Sequence, residues 1–312
     1  MALRPFRFTV QASHLGAPED LLPLARRAED LGVSVLTVAD HVTGEQVAPL
    51  TALMAAASAT SELRVGSLVL SNDYRHPVLL AREAATIDRL SGGRLEFGIG
   101  AGWMTVDYTT TGIHLDPPSR RIERLDEALD VIEGTWSAQP FSYDGEHYQV
   151  HDLDARPAPA QSPRPPIVIG GGGRRILELA GRRADIVHLN PRLTAGVIDE
   201  RAGASATEAA TVEKIDWIKA AAGQRFDDLE IGVRIHLAII TDARDELYET
   251  MAGGFGLTPE EARRSPHAIG GTVEQIVDDL LERRELLGIS AIGLSASSLG
   301  DMAPVIAALA GT

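Results

Sequence analysis

The chain has 312 residues, 44% of them hydrophobic and 23% charged, with a formal net charge of −15. That balance belongs to a globular protein, and the excess of negative charge argues against binding nucleic acid or an anionic membrane surface through bulk electrostatics. There is no cysteine, which removes disulfides, thiolate catalysis and cysteine-ligated metal sites, and without an apolar leader or spanning run the expectation is a soluble cytoplasmic protein.

Strands and helices alternate along the chain. Residues 6–13 (FRFTVQAS) alternate apolar and polar side chains as a strand does. In the following helix Leu21, Leu24, Ala25, Ala28 and Leu31 recur at helical spacing, and Gly32 suits the stop. A second strand, VSVLTVAD (33–40), leads to the helix at 49–60, and LRVGSLVL (63–70) is the third strand. The helix from Pro77 to Gly92 has a proline at its start and a glycine at its end. RLEFGIGAG (94–102) is the fourth strand, followed by a long amphipathic helix over 119–136.

Residues 141–150 read as a hairpin with a two-residue turn at Asp144-Gly145. The proline-rich stretch 155–166 fits neither regular element. PIVIGGGG (166–173) is the fifth strand, with a helix from Arg174, and ADIVHLN (184–190) is the sixth. The two lysines, Lys214 and Lys219, lie on what reads as an exposed helix, which argues against a Schiff-base lysine. Residues 229–240 form the seventh strand and 290–297 the eighth, separated by a helix with a Thr272/Gln275 capping box and a stop at Gly288.

Eight strands separated by helices predict an α/β fold, a (β/α)8 TIM barrel in one domain over 1–312, with the hairpin and proline loop at 140–166 as an insertion. In such a barrel the chemistry lies at the C-terminal strand ends. Strand two ends in Asp40-His41, strand six in His188 and Asn190, and strand seven carries Arg234 and His236. Gly170, Gly171, Gly172 and Gly173 precede a helix, so their amides suit an anion, assisted by Arg174 and Arg175; a plain tight turn is the other reading. The glycines at 98–102 suit close backbone packing. Asp40 and His41 either orient loops and cap a helix or act in a cleft. The nine histidines show no HxH or HExxH spacing, so no metal is expected, and no GxSxG elbow is present.

The run RHPVLLAREAATIDRLSGGRLEFGIGAGW, the ADH after strand two and PPIVIGGGGRRILELAGRRADI together resemble the luciferase-like monooxygenase superfamily, in particular its branch using the deazaflavin F420. The resemblance implies a barrel with an insertion and a cytoplasmic, homodimeric oxidoreductase acting on a small molecule. It implies a non-prolyl cis peptide at Ser67-Leu68 that backs the cofactor ring, with Gly100 and Gly102 also at the cofactor. The cofactor phosphate would lie at Gly170 to Gly173 and Arg174. His41 would be the acid or base, and Asp40 its orienter or a cofactor contact.

Trp103 stands where sugar-phosphate dehydrogenases of the family carry an acid. This departure points to an apolar or planar substrate, walled by Trp103 with Asp107, Tyr108, His188 and Asn190. The expected reaction is hydride transfer at C5 of F420. An FMN-dependent monooxygenase on the same scaffold and a catalytically silent flavin- or F420-binding barrel are the alternatives.

Overall fold

The computed structural model describes residues 3–312 apart from 14, 16, 45, 138 and 194–200. Eight parallel strands close into a barrel: Arg7–Gln11, Val35–Val38, Arg64–Ser67, Leu95–Gly100, Ile167–Gly171, Ile186–Leu189, Glu230–Arg234 and Ile289–Ser295. They are the first to eighth barrel strands below. The first pairs with both the second and the eighth, so no edge is left open.

Side-chain alternation follows from the pleat. Outward residues such as Phe8, Val10, Leu36, Val65, Ile99 and Ile231 are fully or almost fully buried in the apolar layer beneath the helices. Inward residues stack in layers along the barrel axis. The lowest is ionic: Arg7 bonds Glu230 at 2.6 Å and also Glu96, which accepts from Arg64 Nε at 2.9 Å. Above it lies a small cavity lined by Thr9, Thr37, Ser67 and His188, and the topmost layer faces the C-terminal mouth.

The helices form where local signals place them. Val273–Leu287 carries the full capping box, with Gln275 N on Thr272 Oγ1 at 3.3 Å and Thr272 N on Gln275 Oε1 at 3.0 Å, and ends at the left-handed Gly288. Pro77–Leu90 starts on its proline, with His76 accepting from Val78 N at 3.3 Å.

Three expectations need correction. The seventh strand does not run from 229 to 240: it leaves the barrel after Arg234, and Leu237–Ile240 pairs with Ala268–Gly271 in a separate two-stranded sheet. The hairpin Phe141–Asp144/Gln149–Leu153 has a four-residue loop, 145–148, because Asp144 pairs with Gln149. The carboxylate of Glu127 caps that loop by accepting from the amides of Glu146, His147 and Tyr148, so helix contacts set its length as well as Asp-Gly chemistry. Lys214 is buried, not exposed: its ammonium donates to the Asn190 carbonyl at 3.0 Å and the Ser205 carbonyl at 2.6 Å. Desolvation pulls its pKa down to about 8.

No helix among the described residues is long and apolar enough to cross a membrane.

Candidate active site

The third strand carries an irregularity that shapes the mouth. Gly66 pairs with Glu96 and Leu70 with Ile99, four steps on one strand against three on the other, which makes one extra residue. The cis peptide lies within this bulge, at Leu68-Val69 and not at Ser67-Leu68. Ser67 is held inside the ladder, paired with Val38, its hydroxyl donating to Gly98 O at 2.7 Å and accepting from Gly98 N at 3.0 Å. The irregularity therefore falls after it, and Ser67 is a buried ladder residue rather than a cofactor contact. A Cβ on Gly98 would overlap the Ser67 carbonyl, so only glycine lets these backbones approach. Leu68 stays in the bulge, its carbonyl accepting from Gln11 Nε2 at 3.1 Å. The Val69 side chain lies beside Gly100 and Gly170, whose lack of a side chain leaves it room.

His41 and Asp40 part company. Nδ1 of His41 lies 2.7 Å from Asp107 Oδ2. Asp107 is fully buried on the short helix Thr105–Thr111, and also accepts from Thr43 Oγ1 at 2.7 Å, Thr43 N at 3.3 Å, Val42 N at 3.4 Å and Tyr74 OH at 3.3 Å. Burial acts to raise the Asp107 carboxyl, but the bonds from His41 and Thr43 outweigh it and hold the group below the usual carboxylate range. Burial and the Asp107 charge push the Tyr74 phenol well up. The orienter of His41 is thus Asp107, not Asp40, and Asp107 is no substrate contact. Among the described residues Nε2 of His41 makes no hydrogen bond, and the half-buried ring meets Trp103 edge to face with centroids 5.8 Å apart.

Asp40 points elsewhere. Arg75 Nη1 donates to its Oδ2 at 2.5 Å and Ser71 N to the same oxygen at 3.1 Å. Its charge is neutralised there, and the guanidinium of Arg75, a quarter exposed, is the group left facing solvent.

Tyr108 and His188 are not wall residues. Tyr108 is buried, with its hydroxyl donating to Asp73 at 2.8 Å, and burial first, then Asp73, pushes its pKa up to about 12. It packs beneath Gly102, where φ is +73° and a Cβ would overlap the phenol oxygen; Gly102 is a packing glycine whose carbonyl accepts from Arg121. His188 projects into the barrel centre against Gly232 and Gly293, and burial holds it neutral, with its pKa down to about 3. Asn190 does reach the mouth, with Oδ1 3.0 Å from His236 Nε2.

The four glycines divide by role. A Cβ on Gly171 would strike Ile176, and one on Gly172 would lie 2.3 Å from the Asn190 carbonyl and 2.6 Å from that of Pro191, so both allow close packing. Gly173 caps the helix Arg174–Arg183 and has open space around it. Arg174 is engaged with Glu178 at 2.7 Å, which leaves the exposed Arg175 and the first-turn amides as the better anion contacts. No group of three or more His, Asp or Glu side chains able to hold a metal gathers among the described residues.

A barrel whose mouth joins a strand-three bulge, a His41–Asp107 pair and a glycine turn before a helix invites comparison with known proteins. Residues 2–285 match the profile of the luciferase-like monooxygenases. The chain belongs to that family.

Within it, the FMNH2-dependent dimethylsulfone monooxygenase of Pseudomonas putida is 26% identical over 248 residues, 76% of this chain and 64% of that protein. The F420-dependent glucose-6-phosphate dehydrogenase of Kineococcus radiotolerans is 32% identical over 176 residues, 54% of this chain and 51% of that enzyme. The chain thus spans about half to under two-thirds of the length of these relatives. The structure of F420-dependent tetrahydromethanopterin reductase from Methanopyrus kandleri superposes with a TM-score of 0.78 at 18% identity, over 98% of this chain and 99% of that one. At that identity the likeness is one of fold. F420-dependent and FMNH2-dependent relatives therefore both surround this sequence.

The residues that sequence reasoning left without a role are Arg75, Tyr74 and Gln11. Arg75 opens the quoted run RHPVLLAREAATIDRLSGGRLEFGIGAGW, a few residues after strand three, and that position was the signal available for it.

Proposed function

We propose that this protein is an F420-dependent oxidoreductase acting on a small, planar or apolar organic substrate, with His41 exchanging the proton. The observation that carries this reading is His41 Nδ1 at 2.7 Å from the buried Asp107 carboxylate, at the mouth and beside Trp103. A neutral imidazole so held keeps its proton on Nδ1 and presents Nε2 as the accepting atom, the arrangement a general base needs.

The residues suit a flat cofactor with a phosphate. Val69 of the bulge packs on Gly100 and Gly170 and gives an apolar shelf, and Gly173 with the helix amides and Arg175 offers an open anion seat. When bound, the deazaflavin supplies hydride transfer at C5. Asp107 fixes the ring of His41, Trp103 gives an apolar wall that excludes water, and Arg75 keeps Asp40 neutralised. Trp103 leaves no carboxylic acid at its position, so proton exchange falls to His41.

The second reading, an FMN-dependent monooxygenase, draws support from the relative aligned over 76% of this chain. Titration of the purified protein with each cofactor decides. Tight binding of F420 with none of FMN is the expected result, and the reverse overturns the proposal. F420 binding with no oxidation of reduced F420 across a substrate panel would leave a silent binding barrel.

A further inference from the structure

The seventh strand turns Glu230, Gly232 and Arg234 into the barrel. Glu230 meets Arg7 in the lowest layer, Gly232 lies against the His188 ring, and Arg234 stands one layer higher, level with the mouth. Its guanidinium is fixed in place, Nη1 donating to the Leu294 carbonyl at 2.6 Å and Nη2 to the Ser295 hydroxyl at 3.1 Å. His267 Nδ1 bonds the Arg234 carbonyl at 2.9 Å, which steadies the backbone.

No carboxylate among the described residues reaches this guanidinium. Several other arginines near the barrel ends have one: Arg75 has Asp40, Arg124 has Asp73 and Asp116, and Arg7 and Arg64 share Glu96, whereas Arg121 is held by the backbone carbonyls of Ala101, Gly102 and Asp116. Desolvation alone acts on Arg234 and draws its pKa down to about 10, as befits a half-buried cation without a counter-ion. Two of its five N–H groups are committed to Leu294 and Ser295, and the remaining donors have no partner among the described residues.

Among the described residues the surrounding layer holds nothing negative. Gln11 is turned to the Leu68 carbonyl, Asn190 is bonded to His236, and Gly100 and Gly170 add no side chain. In the closed strand order the seventh strand lies opposite the third, so Arg234 faces the Leu68-Val69 bulge across the mouth. The donors left over open toward the mouth, where an anionic ligand can complete this half-buried cation.

We propose that Arg234 seats a carboxylate of the substrate, which makes the substrate class small planar carboxylic acids. This rests on the oxidoreductase reading. The fork matches a carboxylate bidentately, and a phosphate, with its greater charge, would find this one cation alone, because Lys214, the lysine at this end, is committed to the Asn190 and Ser205 carbonyls.

Calorimetric titration of the cofactor-free protein with benzoate and with its neutral isostere benzamide tests this. Benzoate is expected to bind about ten- to a hundredfold tighter, the range of a charge-assisted hydrogen bond. Arg234→Gln should erase the preference and Arg234→Lys keep part of it, with circular dichroism checking that both fold. Equal binding by the unsubstituted protein overturns the proposal. So does a preference that survives in Arg234→Gln, which would put the anion on the glycine turn. A loss of F420 affinity in Arg234→Gln with the benzoate preference intact would assign the arginine to the cofactor and also overturn it. Failure of the unsubstituted protein to bind F420 refutes the F420-dependent reading separately, since the benzoate titration needs no cofactor.

Discussion

Asp107→Asn is the substitution that bears most directly on the His41 reading. The carboxylate accepts from five donors, three on Oδ1 and two on Oδ2. An amide keeps its oxygen toward Val42 N, Thr43 N and Thr43 Oγ1, and places its NH2 where Oδ2 faced His41 and Tyr74. The imidazole must then accept at Nδ1, so its proton moves to Nε2 and the free nitrogen no longer serves as a base. Loss of the charge also weakens the short bonds from His41 and Thr43, at a cost of about 1.5–3 kcal/mol, or a Tm lower by roughly 5 °C for a domain of this size. Nitrogen-15 NMR of the histidine ring reads the tautomer without any substrate, and oxidation of reduced F420 reads turnover. The expected outcome is Nδ1–H in the parent protein, Nε2–H in the variant, and turnover lower by about 10²–10⁴, the range of a lost acid or base. His41→Ala sets the floor for that loss. An unchanged tautomer, or turnover equal to the parent protein's, would refute the assignment.

Two further outcomes follow from burial. His188 and His267 are both held neutral with pKa values near 3, chiefly by desolvation. A depressed histidine contributes stability that is full above its unfolded value near 6.5 and is lost as pH falls from there toward 3. Each should cost about 1.4 kcal/mol per pH unit in that window, so urea midpoints measured between pH 7.5 and 5 should drop steeply, and less steeply in His188→Asn, which removes one of the contributing rings. A flat profile would mean that water reaches these rings. In the glycine turn, Gly172→Val collides with the carbonyls of Asn190 and Pro191 and should lower both Tm and F420 affinity, whereas Gly173→Ala meets open space and should change Tm little. Equal effects at the two positions would show that the turn is not packed as described.

Much of the fold was legible because barrel formation is written in local periods. The strand segments, the helix stops at Gly92 and Gly288 and the Thr272 capping box depend on residues within a few positions of one another. The departures have non-local causes. The strand predicted from 229 to 240 has no glycine, proline or other turn residue between Arg234 and Ile240, so local signals could not show that its second half changes partners after Arg234. The hairpin loop takes its length from Glu127, on a helix some twenty residues earlier.

The same division runs through the site. The sequence by itself determined that ionisable residues gather at strand ends and that four glycines precede a helix. Only the tertiary structure decided which charge meets which. His41 and Asp107 are 66 residues apart and Asp40 and Arg75 are 35 apart, so chain neighbours found different partners. Lys214 looked solvated because its helix is amphipathic only weakly, yet packing sealed it against two carbonyls. Local chemistry selects strands, turns and caps, because those bonds close within a few residues. Partner choice among charges depends on desolvation and on closure of the barrel, which exist only once distant strands have met.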